Sequence, residues 1–137
     1  AVLFYQLKFS NKIQFKRRSL WDSYHLNLKN WCNKNDIIQP LVPSYCKQSY
    51  HMYYLLFPNH DLQTKFINYL SKLKIKVTTH YQPLHSSPFA KKISNYKKDY
   101  CPVTTDISRR IVRLPLFYNM TDKQHLKVLN DIDTFHC

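Results

Sequence analysis

Two histidines, a tyrosine and two serines lie within nine residues of one another in the segment HYQPLHSSP, residues 80–88. Such side chains could form a catalytic loop, a metal site or a polar turn. A zinc site needs at least three ligands, and His80 and His85 have no cysteine or carboxylate between them. A serine nucleophile on a GxSxG turn is excluded, because the chain contains no glycine. Hydrolytic and metal chemistry are therefore disfavoured here.

The neighbouring residues predict a strand before this segment and irregular structure after it. KVTTHY (76–81) is β-branched and reads as a strand, while Pro83 and Pro88 argue against regular structure in the loop. Residues 89–103 are basic and predicted to be irregular. His80 could thus end a strand with its ring buried and hydrogen-bonded, and His85 could be a solvated loop residue. Both structural explanations stay open beside a binding role.

The remaining elements alternate between strands and helices and predict a small α/β layer domain. Strands are expected at 50–57 and at 111–117, where Pro115 indicates an edge or a strand end. A short capped helix is expected at 104–111. Asp61 is expected to cap a helix through about Lys74, with Leu62, Phe66, Leu70 and Leu73 inward. Thr121 is expected to cap a last helix, with Leu126, Leu129 and Ile132 inward.

The histidines outside the loop are expected to have structural or surface positions. His51 is expected in a strand, and the surface set is His25, His60, His125 and His136.

The first 31 residues contain neither proline nor glycine, and their apolar residues recur with mostly helical spacing. A single helix of this length would span about 45 Å at 1.5 Å per residue. A compact domain of this size has a diameter of about 37 Å, so the helix would project beyond it. Two shorter helices broken near Ser10 are one explanation. We favour the other, that the chain begins inside a larger protein.

Composition narrows the functional classes. A chain without glycine cannot contain a P-loop or a dinucleotide-binding fingerprint. The net charge of +13 has two explanations, a lysine-rich composition or a basic face for a polyanion. The cations occur in small clusters along the whole chain, so nucleic acid is not the favoured partner. A basic module for nucleic acid or an anionic surface remains the alternative. Four cysteines without zinc-module spacing, and no apolar run long enough for a membrane span, favour a reduced cytoplasmic protein without a membrane partner.

Several segments resemble one protein family in order and spacing: YHMYYLLFPN, VTTHYQPLHSSPFAKK and CPVTTDISRRIVRLPLFYNMT, together with the opening AVLFYQL and IQFKRRSLWDSYHLNL. They are similar to the C-terminal part of the DegT/StrS-type sugar-nucleotide aminotransferases, particularly the WecE-like transaminases of surface-polysaccharide biosynthesis. These enzymes use pyridoxal phosphate. The resemblance covers nearly the whole chain. The chain departs from the family at Lys74 and Lys76, where glycine is frequent, and at Ser49, where asparagine is usual.

The resemblance implies the aspartate-aminotransferase (fold type I) architecture: a connecting helix at residues 1–34 and the small C-terminal α/β domain at 35–137. The large cofactor domain, with its Schiff-base lysine, its phosphate-binding groups and the aspartate facing the pyridine nitrogen, would be missing. No residue here is therefore expected to be catalytic or to bind cofactor or metal. His85, then His80 and Tyr81, are the implied sugar-nucleotide ligands. Expected partners are the missing domain, or a separate chain carrying it, and a second subunit in the intact homodimer.

Overall fold

Helices and one small sheet make up the fold of the computed structural model, which describes residues 2–79, 81–93 and 101–136. The elements, in chain order, are α1 (Val2–Lys8), α2 (Ser10–Asn27), α3 (Lys29–Lys34), β1 (Tyr53–Leu56), α4 (His60–Lys72), a 3₁₀ turn (Leu84–Ser86), α5 (Pro88–Ile93), α6 (Pro102–Arg110), β2 (Ile111–Leu114) and α7 (Asp122–Asp133). This mixed architecture confirms the predicted α/β class. Within the described ranges, no helix combines the length and apolarity needed to cross a membrane.

The sheet is smaller than the sequence predicted. Strands β1 and β2 pair antiparallel, with Tyr53 opposite Leu114 and Leu56 opposite Ile111. The predicted strands 50–57 and 111–117 are therefore too long. Strand β2 ends before Pro115, whose nitrogen cannot donate to the ladder. The predicted strand 76–81 is wrong over its described residues. Thr78 alone forms a bridge, to Arg113, because the four-residue β2 leaves little edge for pairing.

The N-terminal helical run is divided into three helices. Phe9 and Leu28 interrupt it, so the single helix expected over 1–31 is wrong in detail and the run ends at Lys34. Hydrogen bonds join the two interrupting residues to the helices on both sides. Phe9 N donates to Gln6 O and Phe9 O accepts from Ile13 N, while Leu28 N donates to Tyr24 O and Leu28 O accepts from Cys32 N. Helix α1 has no buried residue, so it contributes nothing to the hydrophobic core.

The second half of this run is part of the hydrophobic core. Leu20, Trp21 and Tyr24 of α2 are buried together with both strands, α4 and α7. The Tyr24 hydroxyl donates to the carbonyl of Pro115 at 2.9 Å, and Trp31 Nε1 donates to the carbonyl of Phe135 at 3.1 Å. The helical run is thus attached to the small domain at its C-terminal end.

Local hydrogen bonds define both ends of helix α4. Its N-cap is Asn59, whose side chain accepts from Leu62 N at 2.9 Å, so the predicted cap at Asp61 is wrong and Asp61 lies in the first turn. At the other end Ile75 N bonds to Leu70 O and Lys74 N to Ser71 O, which is the Schellman arrangement. This arrangement places Lys74 at a φ of 60°, the left-handed conformation that glycine adopts without strain.

Replacing Lys74 with glycine should stabilise the protein. The left-handed conformation costs a non-glycine residue about 1–2 kcal/mol, and the added freedom of glycine in the unfolded chain offsets about 0.4–1 kcal/mol. We therefore expect the free energy of unfolding to rise by about 0.5–1 kcal/mol in urea titrations. Lys65→Gly, on the exposed side of α4, is the matched control and should lower it by about 1 kcal/mol. Equal destabilisation by both substitutions would contradict the strain at Lys74.

Helix α7 confirms its predicted cap and the inward positions of Leu129 and Ile132, but not that of Leu126. Thr121 and Gln124 form a reciprocal capping box. Leu126 was expected inward and is 56 % exposed, whereas His125, expected at the surface, is buried beside Tyr24. The error has a physical reason: Ser23 Oγ lies 2.9 Å from His125 Nε2 and gives the imidazole a polar partner across the interface between α2 and α7.

Acidification should destabilise the protein through His125. Burial, and the charge of Lys16, lower the pKa of His125 below its ordinary value, while Asp122 opposes the shift. Among the described residues, its Nδ1 has no hydrogen-bond partner. A depressed folded-state pKa gives stability that is complete above the unfolded value of about 6.5 and is lost as the pH falls below it.

The measurement is the free energy of unfolding at about pH 7.5 and about pH 5, on either side of the ordinary histidine pKa of about 6.5. We expect His125→Gln to reduce the difference in the free energy of unfolding between the two pH values. His60→Gln, at an exposed position, should leave this difference unchanged. An unaltered pH dependence in His125→Gln would contradict the assignment.

Candidate functional site

The loop that carries the predicted ligands is more ordered than its two prolines suggested. Pro83 precedes the 3₁₀ turn and Pro88 is the first residue of α5, so the expectation of irregular structure over the loop and over 89–93 is wrong. Proline fits the first turn of a helix, where its missing N–H has no intrahelical partner in any case. Residues 94–100 of the predicted irregular stretch lie outside the described residues.

The two serine hydroxyls stabilise this local structure. Ser86 Oγ donates to Pro83 O at 3.0 Å, and Ser87 Oγ accepts from Ala90 N at 3.1 Å at the start of α5. Both contacts are typical local side-chain to backbone bonds that favour turns and helix starts. Serine is therefore used here as a capping residue, which agrees with the disfavoured hydrolytic interpretation.

His85 connects the loop to α6. Its Nε2 lies 3.0 Å from Thr105 Oγ1, and the Thr105 hydroxyl donates to Cys101 O at 3.0 Å. Because a hydroxyl has one hydrogen to donate, Thr105 accepts from His85, and His85 carries a proton on Nε2. The half-buried imidazole is thus held in one orientation on the loop. His85 is therefore not a fully solvated loop residue. This contact alone does not make it a ligand of the substrate.

Of the other two predicted ligands, Tyr81 lies within the described residues and His80 does not. Tyr81 is 81 % exposed and lies four residues before His85 on the same loop. An exposed phenol could stack on or donate to a ligand. His80 lies outside the described residues. Among the other histidines, His51 is exposed and precedes β1, so its placement in a strand is wrong; Ser49 Oγ lies 2.6 Å from its Nδ1.

Sequence reasoning missed the residue that fixes α6 in place. Arg110 pairs with Asp106 one helical turn earlier, and its Nη1 donates to Phe57 O at 2.9 Å. In return Phe57 N donates to Arg110 O at 3.0 Å. These bonds attach α6 to the end of β1 and so set the position of Thr105 beside His85. The Asp–Arg spacing of four was the available signal.

Groups with strongly shifted pKa values lie in the core. Burial raises the pKa of Cys32 to about 12, so this thiol stays protonated and unreactive. Burial is also the main reason that the pKa of Tyr24 is raised, with a smaller effect of neighbouring Tyr53. Tyr53 itself has a raised pKa for the same main reason, partly offset by its hydrogen bond to Gln39. These shifts mark packing and indicate no catalytic group.

The lysines of the described residues do not suit a Schiff base with pyridoxal phosphate. Such a lysine needs a desolvated environment that lowers its pKa. Lys16 is half-buried and pairs with Asp122 at 2.9 Å, and the other described lysines are exposed. The described part of the chain also contains no cluster of three or more groups able to hold a metal ion. These residues do not fit the cofactor site.

Solved structures with the same fold are aminotransferases. DesV of S. venezuelae, solved in complex with a ketimine intermediate, superimposes with a TM-score of 0.83 over 96 % of this chain, at 20 % identity. PseC of Helicobacter pylori, an aminotransferase involved in pseudoaminic acid biosynthesis, gives a TM-score of 0.81 over 94 % of this chain, also at 20 % identity. In each case the match covers 34 % of the other chain. The fold is that of the pyridoxal-phosphate aminotransferases, over about a third of their length.

The chain belongs to the DegT/DnrJ/EryC1/StrS aminotransferase family, whose model matches residues 1–133. An uncharacterized protein of Methanocaldococcus jannaschii is 30 % identical over 135 residues, which are 96 % of this chain and 34 % of that protein. This chain therefore spans about a third of the length of the relatives it matches. The predicted family and fold class are confirmed. The division into 1–34 and 35–137 stays a prediction.

Proposed function

We propose that this chain is the C-terminal part of a sugar-nucleotide aminotransferase and that it contributes the substrate-facing loop of the active site. The observation that carries the proposal is the family match over residues 1–133. The substrate class is proposed to be a dTDP-4-keto-6-deoxyhexose used for amino sugars of surface polysaccharides such as lipopolysaccharide. Glutamate would be the amino donor. Pyridoxal phosphate would be held by residues outside this chain, so the chain alone should be inactive.

Within this function, the loop at 81–88 would recognise the sugar nucleotide. The fixed orientation of His85 by Thr105 supports this role, because it orients Nδ1 as an acceptor for a sugar hydroxyl, with little loss of side-chain freedom on binding. Exposed Tyr81 could add a stacking surface or a donor. We include His80 in the proposed ligand set from the family resemblance.

The proposed assembly is the homodimer of the complete enzyme in the cytoplasm. Cys32, Cys46 and Cys101 are free cysteines, which suits a reducing compartment. The N-terminal part of the helical run, with its exposed apolar residues, would pack on the large domain or on the second subunit.

The experiment that tests the function is complementation. The N-terminal two thirds of a family member of known substrate would be produced alone, together with this chain, and fused to it. We expect transfer of the amino group from glutamate to a keto sugar nucleotide only where this chain is present with its complement. Transfer by this chain alone would overturn the proposal.

Removal of the His85 side chain should weaken substrate use in the fused enzyme. We expect His85→Ala to raise KM for the sugar nucleotide about tenfold, the effect of losing one hydrogen bond to a sugar hydroxyl. KM for glutamate should stay unchanged. His136→Ala removes an exposed imidazole outside the loop and is the control.

A comparison with Thr105→Val separates orientation from contact. This substitution leaves the imidazole but removes the acceptor that orients it, so a smaller rise in KM than in His85→Ala is expected. Equal KM values for the sugar nucleotide in His85→Ala and the parent protein would contradict a ligand role for His85.

A further inference from the structure

An apolar groove with a cationic rim lies on the small domain, between the end of α4 and the start of α7. Its volume is about 520 Å³, and Leu73, Ile75, Phe117, Met120 and Val128 supply the apolar lining. This size is within the range of about 300–1,000 Å³ that is typical of small-molecule sites. We call it the Lys74 groove.

Three lysines, Lys74, Lys76 and Lys127, surround the groove, and its lining contains no carboxylate. Lys127 is already engaged, since it pairs with Asp131 and donates to the carbonyl of Leu73 at 3.4 Å across the groove. Lys74 and Lys76 are exposed, and neither has an ion-pair partner among the described residues. Two cations at the edge of an apolar surface match a ligand with an apolar body and an anionic end.

The backbone supports a role for the first of these lysines. Lys74 is held at a φ of 60°, a conformation that asparagine adopts at lower cost and that the asparagine-rich sequence could have supplied. Strained residues that persist tend to lie at functional positions. Because this conformation belongs to the end of α4, it fixes the position of Lys74 beside the groove.

A second depression on the other side of the same segment is a weaker candidate. Its volume is about 270 Å³, and it too is lined by Lys74 and Lys76. It is smaller than most small-molecule sites, and its lining has no aromatic side chain comparable to Phe117 of the Lys74 groove. The larger groove is therefore the better candidate for a ligand that uses these two lysines.

We propose that the Lys74 groove binds a small amphipathic anion, a linear apolar chain with a single carboxylate or phosphate end. The chain lies on Phe117 and Leu73, and the anionic end lies between Lys74 and Lys76. This site is separate from the loop at 81–88, and it does not depend on the proposed transaminase function.

The test uses the full 137-residue chain and two probes, decanoate below its micelle concentration and the neutral alcohol decanol. Isothermal titration gives the affinities, and hydrogen exchange gives the location. We expect decanoate to bind more tightly than decanol and to protect amides in 73–78 and 117–128. Lys74→Gln with Lys76→Gln should weaken decanoate binding about five- to tenfold, as expected for two partly screened charges, and leave decanol unchanged.

Two controls keep the outcome clear. Lys29→Gln with Lys65→Gln removes the same charge from exposed positions outside the groove and should leave decanoate binding intact. Phe117→Ser should weaken both probes, because it removes apolar surface. Equal affinities for the two probes, protection confined to residues 2–9, or an equal loss with both lysine pairs would overturn the proposal. Decyl phosphate, titrated in parallel, shows which anionic end is preferred.

Discussion

Tyr24→Ala is expected to lower the free energy of unfolding by about 3–5 kcal/mol, the range measured for large aromatic residues removed from a core. Tyr24 has no exposed surface, and its ring lies 5.2 Å from Tyr53 and 4.3 Å from His125, centre to centre. It therefore joins α2 to β1 and α7. Removing the ring leaves a cavity at the junction between the helical run and the small domain.

The hydroxyl and the ring can be measured separately. Tyr24→Phe keeps the packing but leaves the carbonyl of Pro115 without its donor, so a loss of about 1–2 kcal/mol is expected. Tyr5→Ala, on the exposed α1, should change stability by less than about 0.5 kcal/mol. Urea unfolding followed by tryptophan fluorescence gives all three values. A loss below about 1 kcal/mol in Tyr24→Ala would show that α2 is not part of the core.

The isolated chain is expected to self-associate through α1. Helix α1 has no buried residue, and Phe4 and Leu7 are 63 % and 61 % exposed. On the opposite face of the helix, Val2, Tyr5 and Phe9 line a groove of about 660 Å³ next to Tyr118, so apolar side chains are exposed on both faces of α1. Surfaces of this kind mark contact sites. We expect sedimentation above the monomer mass, rising with concentration.

Charged substitutions test this surface directly. Phe4→Lys with Leu7→Lys should return the chain to a monomer, whereas Leu26→Lys, at an isolated exposed position, should not. Amide exchange should be fast over the first dozen residues and slower from Leu20 to Trp31, where the helical run enters the core. A parent chain that is monodisperse and monomeric, with slow exchange from residue 3 onward, would contradict the prediction.

Sequence reasoning succeeded where local chemistry decides the outcome. The spacing of Phe66 and Leu70 placed both in the core, and Thr121 was identified as a cap because its partner Gln124 is three residues away. It failed where the position of a side chain depends on a residue that is distant in sequence. The burial of His125 depends on Ser23, about a hundred residues away in sequence. The strand predicted at 76–81 depended on β2, which Pro115 ends after four residues.

The candidate site shows the same limit. The HYQPLHSSP segment identified the loop, but it could not show that Thr105 orients His85 or that Arg110 attaches α6 to β1. Both contacts join residues separated by 20 or more positions. The roles of His85, His80 and Tyr81 as ligands stay predictions.

The ends of α3 and α4 have a consequence for the order of events in folding. Both helices end with a non-glycine residue at positive φ, Asp36 and Lys74. No residue with an intrinsic left-handed preference marks the end of α4 in the unfolded chain, and lysine favours continuing a helix. We therefore expect nascent α4 to extend past Lys72. Its last turn unwinds only when Ile75 enters the core beside Leu70, so the boundary of this helix is set late, by tertiary structure.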